Sequence, residues 1–582
     1  MTFTPPVTEQ RFVLDHIAGI GQLAEHERFA EASSDLVDAI LEGIGQLAAG
    51  EWAPLNWPGD ESGGAKLTED GVKMPEGFQQ AYRDYVEGGW GTISAPADFG
   101  GQGLPFSLGS TILESLGSAN MAFTLCPILS GGAIEALTHH GSEELQRLYL
   151  PKLCTGEWTG TMNLTEPQAG SDVGALKTKA ERAEDGSWRI TGQKIFITFG
   201  EHDLTDNIVH LVLARTPDAP AGTKGISLFL VPRYRLDEDG NPDAFNDVRC
   251  VSLEEKLGIH ASPTCVMSYG DDGDCHGWLI GPEHGGMRAM FTMMNNARIN
   301  VGMQGVQIGE RATQQAVSFA RERVQSARAG GDSRDAIAII GHPDVRRMLM
   351  RMKALTQAAR ALVYYTAGQV DRGTLGDADA KARAELLTPL AKAYGSDCGV
   401  EIASLGVQVH GGMGYVEETG AAQHYRDARI APIYEGTNGI QAADLVGRKL
   451  GLAGGDTVRA LFDEIRADGG DHAALDTLLG DCEATVNWLT SGEASVDDRL
   501  AASYPLLTMM SVLVGGWLMA RQWRIAKAQL ATGEGDNEFL DMKIAAARFY
   551  LDQIVPEASG LAAAATARAD VLYSVTAEAF GA

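Results

Sequence analysis

One carboxylate, Glu435, lies in the stretch Tyr434-Glu435-Gly436-Thr437-Asn438-Gly439-Ile440-Gln441, where a helical run gives way to a turn. Upstream, Tyr425-Arg426-Asp427-Ala428-Arg429 is charged and compatible with a helix, and Pro432 disfavours helix for the residue before it. Gly436 and the polar pair Thr437-Asn438 follow, and Ile440 to Leu450 resumes helical apolar spacing. A helix–kink–helix of this kind aims a carboxylate into a cavity while the N–H groups of the turn face a ligand. A carboxylate so placed suits general-base work. A lone loop Glu is more often a solvated surface residue, so the octapeptide gains meaning only from its context.

Two other segments supply that context. Thr165-Glu166-Pro167-Gln168-Ala169-Gly170-Ser171-Asp172 and Gln408-Val409-His410-Gly411-Gly412 precede the Glu435 segment in the same chain. The three, in this order, resemble the acyl-CoA dehydrogenase family, FAD enzymes that oxidise a thioester to its α,β-enoyl form. The resemblance implies that Glu435 is the base and that the β-hydride passes to flavin N5. It places the thioester oxygen on the Glu435 backbone N–H and a flavin ribityl hydroxyl. The segment Met162 to Ser171 corresponds to an FAD-binding segment, with Leu164 and Thr165 near the pyrimidine ring and Ser171 also touching substrate. Phe196-Ile197-Thr198 stands where the family often has Trp-Ile-Thr beside the flavin; Phe keeps the aromatic face and loses the indole donor. Arg323 aligns with an arginine on an FAD phosphate, although Val324-Gln325-Ser326 replaces the usual Phe-Gly. Gln408, Gly411 and Gly412 fall on the cofactor, the glycines allowing close backbone approach, and Thr437 and Asn438 join them. Gly436, Asn295 and Arg298 fall on the substrate, with Asn295 where the family carries an acid.

The same resemblance implies an acyl-CoA substrate, an electron-transfer flavoprotein as acceptor, and a homodimer or dimer of dimers with Arg323 reaching across the subunit boundary. Two alternatives use this fold: an acyl-CoA oxidase, and a DNA-associated protein of the alkylation-response type. The balance of 47 basic against 77 acidic residues, a net charge of −30, argues against nucleic acid and anionic membrane as partners. It also means that a polyanionic ligand must be held by local donors. The seven cysteines are scattered, with no C-x-x-C pair, which reads as reduced thiols in the cytoplasm and gives no metal-ligand spacing. No secretory signal is evident in MTFTPPVTEQ. The most apolar run, Leu506 to Met519, is too short to span a bilayer and is expected to be a buried helix.

These residues need a scaffold that is mainly α with a central β-domain. Length sets a prior of about four domains at roughly 150 residues each. Residues 1–157 read as helices, including Arg11 to Leu23, Ala32 to Ala48, Glu76 to Gly88, Leu108 to Leu116 and Ser130 to His140. Gly19-Ile20-Gly21-Gln22-Leu23-Ala24 recurs as Gly43-Ile44-Gly45-Gln46-Leu47-Ala48, and both fit a dinucleotide fingerprint. Neither follows a strand, so a Rossmann site is rejected. Residues 158–282 turn strand-like and predict a β-barrel or sandwich, with a hairpin at Glu184-Asp185-Gly186 and strands at Ala180 to Arg182, Trp188 to Thr191, Lys194 to Thr198, Ile208 to Ala214, Ile226 to Val231 and Cys265 to Tyr269. Residues 283–451 predict a four-helix bundle from Arg298 to Ser326, Asp344 to Asp371, Ala378 to Gly406 and Ile440 to Leu450. Residues 452–582 form a helical extension, as in the larger members of the family. Phe123 to Pro127, His140 to Ser142, Tyr149 to Leu153 and Gly160 to Thr165 carry the likeness to that subgroup.

Overall fold

The computed structural model describes residues 3–470 and 472–582. They fall into two compact units: residues 3–7 with Ala24–Asn300, and Thr8–Leu23 with Val301–Ala582.

The first unit opens with helices around an aromatic cluster, in which Trp52 stacks on Phe123 at 4.1 Å. Helix α1, Met121–His140, starts nine residues earlier than the apolar spacing predicts and continues through Pro127. The Asn120 side chain caps it by accepting from the Phe123 N–H at 3.2 Å, a start signal hidden by the proline downstream. In the second G-x-G-x-x-A stretch both glycines serve packing. A Cβ at Gly43 would lie 2.6 Å from the Trp90 ring, and one at Gly45 3.1 Å from Pro5.

The β-domain follows, with strands β1 (Thr159–Asn163), β2 (Lys179–Arg182), β3 (Trp188–Thr198), β4 (Ile208–Arg215), β5 (Ile226–Pro232), β6 (Val248–Leu253), β7 (Thr264–Tyr269) and β8 (His276–Ile280). They make one eight-stranded sheet in the order β6-β7-β3-β8-β5-β4-β1, with β2 beside β3 and β4. The predicted hairpin joins β2 to β3, and the two short strands expected at Trp188 and Lys194 are one continuous strand. Strands β6 and β8 are not expected from the sequence: Arg249 and Ser252 break the apolar run of β6, and β8 is only five residues long. The side-chain period of two sorts β4 and β5 into two cores. Val209, Leu211, Leu213, Leu228 and Leu230 face one cluster, with Ala133, Leu137, Leu150 and Leu153 of the helices. Val212, Ala214, Phe229 and Val231 face the other, with Trp188 and Tyr269. Because both faces are covered, these strands read as continuous apolar runs.

Helix α2, Gly286–Glu322, leads into the second unit, which contains α3 (Pro343–Thr374), α4 (Ala378–His410), α5 (Ala421–Ala428), α6 (Asn438–Gly447), α7 (Val496–Thr532) and α8 (Asn537–Phe549). The four expected bundle helices are present; the first starts twelve residues earlier than expected, at Gly286 instead of Arg298, and the other ends move by up to four residues. Glycines set how closely two of them cross. A Cβ on Gly305 would sit 1.7 Å from the Gly395 carbonyl oxygen, and one on Gly395 2.3 Å from that of Gly302. Residues 8–23, expected with the N-terminal helices, belong to this unit. The reason is buried Glu9, which accepts from Lys543 Nζ at 2.9 Å and from Gln357 Nε2 at 2.8 Å. Burial works against this carboxylate, but Lys543, Arg360 and Lys353 together hold its pKa below the usual range.

The apolar run Leu506 to Met519 lies within the 37-residue α7, so the expectation that it is too short to cross a bilayer fails on length. Both α1 and α7 are long and apolar enough by composition, yet 72% and 83% of their most apolar windows are buried inside the protein. Their apolar surface is used in the core.

Because the α2–α4 crossing leaves no room for a methyl group, Gly305→Ala should destabilise by about 1–3 kcal/mol, the usual cost of overpacking. The urea midpoint should fall; an unchanged midpoint would show that the helices can separate freely.

Candidate active site

In the first unit, β1 delivers the cofactor-type segment. Met162 is buried on it, Leu164 and Thr165 are half-buried just beyond, and Ser171 is exposed. The chain turns sharply there, closed by Glu166 N–H to the Ala169 carbonyl at 3.0 Å and Ala169 N–H to that of Glu166 at 2.9 Å. Beneath the turn lies an ion pair buried on both sides, Lys194 Nζ to Glu166 Oε1 at 2.8 Å. Lys194 also donates to the Leu164 carbonyl at 3.1 Å, and the Ile195 N–H to that of Thr165 at 2.9 Å. Glu166 accepts further bonds from Thr178 Oγ1 at 2.6 Å, the Thr178 N–H at 3.0 Å and the Lys177 N–H at 2.7 Å. Burial raises the Glu166 pKa, but the Lys194 charge and these donors outweigh it and bring it down to about 2. The Leu164-Thr165 backbone is therefore held from below.

Phe196 owes its position to a bulge. Strand β7 pairs Cys265 with Ile197 and Met267 with Lys194, so two residues of β3 oppose one of β7. Phe196 takes φ 59°, a left-handed conformation rare for an aromatic residue, and its side chain is 58% exposed. Thr198 pairs with Thr264 and is half-buried. Asn295 (half-buried) and Arg298 (buried) are three apart on α2 and so share a face.

In the second unit, Arg323 follows the end of α2, is exposed, and donates to Gln325 Oε1 at 3.1 Å. Where the usual Phe-Gly is missing, Gln325 and Ser326 exchange backbone bonds with Ile337, 3.0 Å each, and so brace that end. Phe319 stacks on His410 at 4.5 Å, which brings the end of α2 beside the end of α4 that carries Gln408, Gly411 and Gly412. His410 Nδ1 is bonded to the Gly406 carbonyl at 2.7 Å, a packing role. Gly411 has φ 62° and ψ −138°, and a Cβ at either glycine would meet nothing within 4 Å.

The Glu435 turn links α5 to α6. Glu435 is half-buried at φ 55°, and Gly436 follows at φ 79°. A non-glycine residue in this region costs on the order of 1–3 kcal/mol and persists only where its surroundings fix it. Here the fixing group is Lys392, fully buried on α4. Its Nζ donates to the Ala431 carbonyl at 2.8 Å and to Asn438 Oδ1 at 2.9 Å, one on each side of Glu435. The Asn438 amide donates in turn to Asp397 Oδ1 at 2.8 Å and Ser396 Oγ at 3.0 Å, so this predicted cofactor contact points into the bundle. Thr437 Oγ1 caps α6 by accepting from the Ile440 N–H at 3.1 Å. Burial, and then the adjacent Glu435 carboxylate, push the Tyr434 phenol upward in pKa. Sequence reasoning overlooked Lys392 and Lys194. The signal for Lys392 was a lone cation in the apolar run Leu386 to Ala393.

By itself, the first unit offers a flavin an aromatic face turned outward by a bulge, and the second unit offers a thioester a carboxylate in a fixed turn and a ligand an open glycine backbone. Family models match most of the chain: the acyl-CoA dehydrogenase N-terminal domain over residues 61–157, middle domain over 161–271 and C-terminal domain over 284–450, and the acetyl-CoA dehydrogenase C-terminal like domain over 461–576. The chain belongs to the acyl-CoA dehydrogenase family, and is an FAD-dependent oxidoreductase with acyl-CoA dehydrogenase activity. It is 46% identical over 575 residues to a 3-methylmercaptopropionyl-CoA dehydrogenase of Ruegeria pomeroyi, covering 96% of this chain and 97% of that one. It is 35% identical over 553 residues to a butyryl-CoA dehydrogenase of Syntrophomonas wolfei, covering 90% of each. Among solved structures, an acyl-CoA dehydrogenase from Bacillus anthracis complexed with FAD has the same fold, with TM-score 0.74, 22% identity, and coverage of 94% of this chain and 91% of that one. Among the described residues, no group of three or more His, Cys, Asp or Glu is placed to hold a metal ion.

The Glu166 pKa gives a pH test. It lies at about 2, below the ordinary 4.5, so the carboxylate contributes stability above pH 4.5 that is lost as pH falls toward 2. The stability gap between wild type and Glu166→Gln should therefore be largest near neutrality and close on acidification. A gap independent of pH would mean that the Glu166 charge is not what holds the turn.

Proposed function

We propose that the chain oxidises 3-methylmercaptopropionyl-CoA to methylthioacryloyl-CoA, with Glu435 as the base. The 46% identity to the Ruegeria pomeroyi enzyme over 96% of this chain supports the substrate. Glu435 takes the α-proton onto its carboxylate. Its own backbone N–H donates to the thioester oxygen, where negative charge grows as that proton leaves. FAD, when bound, supplies the two-electron acceptor for the hydride that departs from the β-carbon. The Met162–Ser171 segment and Thr198 would hold the flavin edge, Phe196 would cover its face, and Arg323, Gln408, Gly411 and Gly412 would bind its phosphates and adenosine end. Gly436, Ser171, Asn295 and Arg298 would line the substrate path. Thr437 and Asn438 would act on the site by shaping the Glu435 turn, because their side chains are engaged in holding it.

Electrons then pass to an electron-transfer flavoprotein. The protein works in the bacterial cytoplasm, in dimethylsulfoniopropionate degradation, as a homodimer or dimer of dimers. Seven buried free cysteines fit a reducing compartment, and the exposed Arg323 fits a role across a subunit boundary. The four-part division at residues 157, 282 and 451 is proposed alongside.

The butyryl-CoA dehydrogenase relative favours one second reading, a straight-chain acyl-CoA as substrate. A turnover panel of methylmercaptopropionyl-, butyryl-, octanoyl- and palmitoyl-CoA separates the two. The highest kcat/KM should fall on the first; preference for butyryl-CoA would replace the substrate, and peroxide release in step with turnover would make the protein an oxidase. Glu435→Gln should keep its FAD and slow flavin bleaching by substrate on the order of a hundred- to ten-thousand-fold. Bleaching at the wild-type rate would give the base to another residue.

A further inference from the structure

Resting on the reading of Glu435 as the base, we propose that Tyr504 is a positioning residue for it. Tyr504 lies on α7, in the C-terminal extension, and acts through Asp397 and Asn438.

The Tyr504 hydroxyl donates to Asp397 Oδ2 at 2.7 Å, and the other carboxylate oxygen accepts from Asn438 Nδ2 at 2.8 Å. Asn438 could in principle face either way, since its oxygen and nitrogen have the same shape. Its neighbours decide. Lys392 can only donate and sits on the oxygen at 2.9 Å; ionised Asp397 can only accept and sits on the nitrogen. With the amide fixed, the Asn438 backbone N–H donates to the Pro432 carbonyl at 3.0 Å and closes the turn across Glu435.

Asp397 is the weak member of this chain of contacts. Burial raises its pKa, while the bonds from Tyr504 and Asn438 and the charges of Lys392 and Arg429 resist that rise. A cavity of about 500 Å³, lined by Asp397, Tyr425, Arg429, Pro432 and Tyr504 among others, lies against it. The phenol supplies a donor from outside the bundle helices, and it lines that cavity together with the carboxylate. Without the hydroxyl, Asp397 is left to water and to a proton. A protonated carboxyl can turn a donor toward the Asn438 amide, and the turn then loses its single orientation. Misplacement of a reacting group by about 1 Å costs on the order of a hundred-fold in rate, so a partial loosening reads out in chemistry before it reads out in folding.

The test uses the full-length FAD-loaded protein and the substrate preferred in the turnover panel. Tyr504→Phe removes only the hydroxyl. It should lower kcat and the rate of flavin bleaching roughly ten- to hundred-fold, with KM, FAD content and melting temperature at wild-type values. Asp397→Asn, which turns an NH2 toward one of its two donors, should show the same split. Tyr425→Phe, in the wall of the same cavity, should leave all five unchanged. In a Glu435→Gln background, Tyr504→Phe should add no further loss, because there is no base left to aim. Wild-type kcat in Tyr504→Phe, a parallel fall of kcat, FAD content and melting temperature, or full additivity with Glu435→Gln would each overturn the proposal. Glu435→Gln bleaching at the wild-type rate would remove the base assignment itself, and the two failures are distinct.

Discussion

A buried ammonium shapes the turn that carries Glu435. Lys392 donates to Ala431 and to Asn438, and the six residues between them include a carboxylate in left-handed backbone. Burying an unpaired cation is expensive, so Lys392 enforces its acceptors: a turn that drifts away strands a charge in the core. That penalty holds Glu435 where an ordinary loop would relax. The close crossing of α2 and α4 belongs to the same arrangement, because Gly395 and Gly302 bring the two backbones together beside the residue that carries the ammonium.

The first unit repeats the device with another lysine. Lys194 holds the carbonyl of Leu164 on one side of Thr165 and the carboxylate of Glu166 on the other. Buried ion pairs add little net stability, since desolvation offsets most of their attraction. The effect of the two lysines is geometric. Each fixes a short polar backbone segment that the sheet or the bundle alone would leave free, and each of those segments belongs to the proposed site.

Much of this was legible in the sequence, and the failures have physical causes. The Glu435 turn could be read because Pro432 and Gly436 punctuate it, and the strands from Ile208 and Ile226 because both faces are apolar. Helix α1 was truncated because Pro127 sits inside it, where tertiary packing overrides propensity. The bulge that turns Phe196 outward has no local signature, since it arises from the pairing of β3 with β7, some seventy residues apart. The motif places Asn438 at the cofactor but gives no hint of its side-chain partners, which come from α4 and cannot be seen along the chain. Residues 8–23 joined the second unit through Glu9 and Lys543, which are 534 positions apart.

The extension closes over the back of the bundle with polar as well as apolar contacts. Tyr550 meets Tyr394, and Tyr504 meets Asp397, so α4 is held from the extension at two turns of the same helix that carries Lys392. Whether the Lys392 ammonium holds the Glu435 turn is read from anaerobic stopped-flow bleaching of FAD in Lys392→Met. The variant should be folded and contain FAD, with bleaching by acyl-CoA slower by about a hundred-fold or more. Bleaching at the wild-type rate would contradict that role.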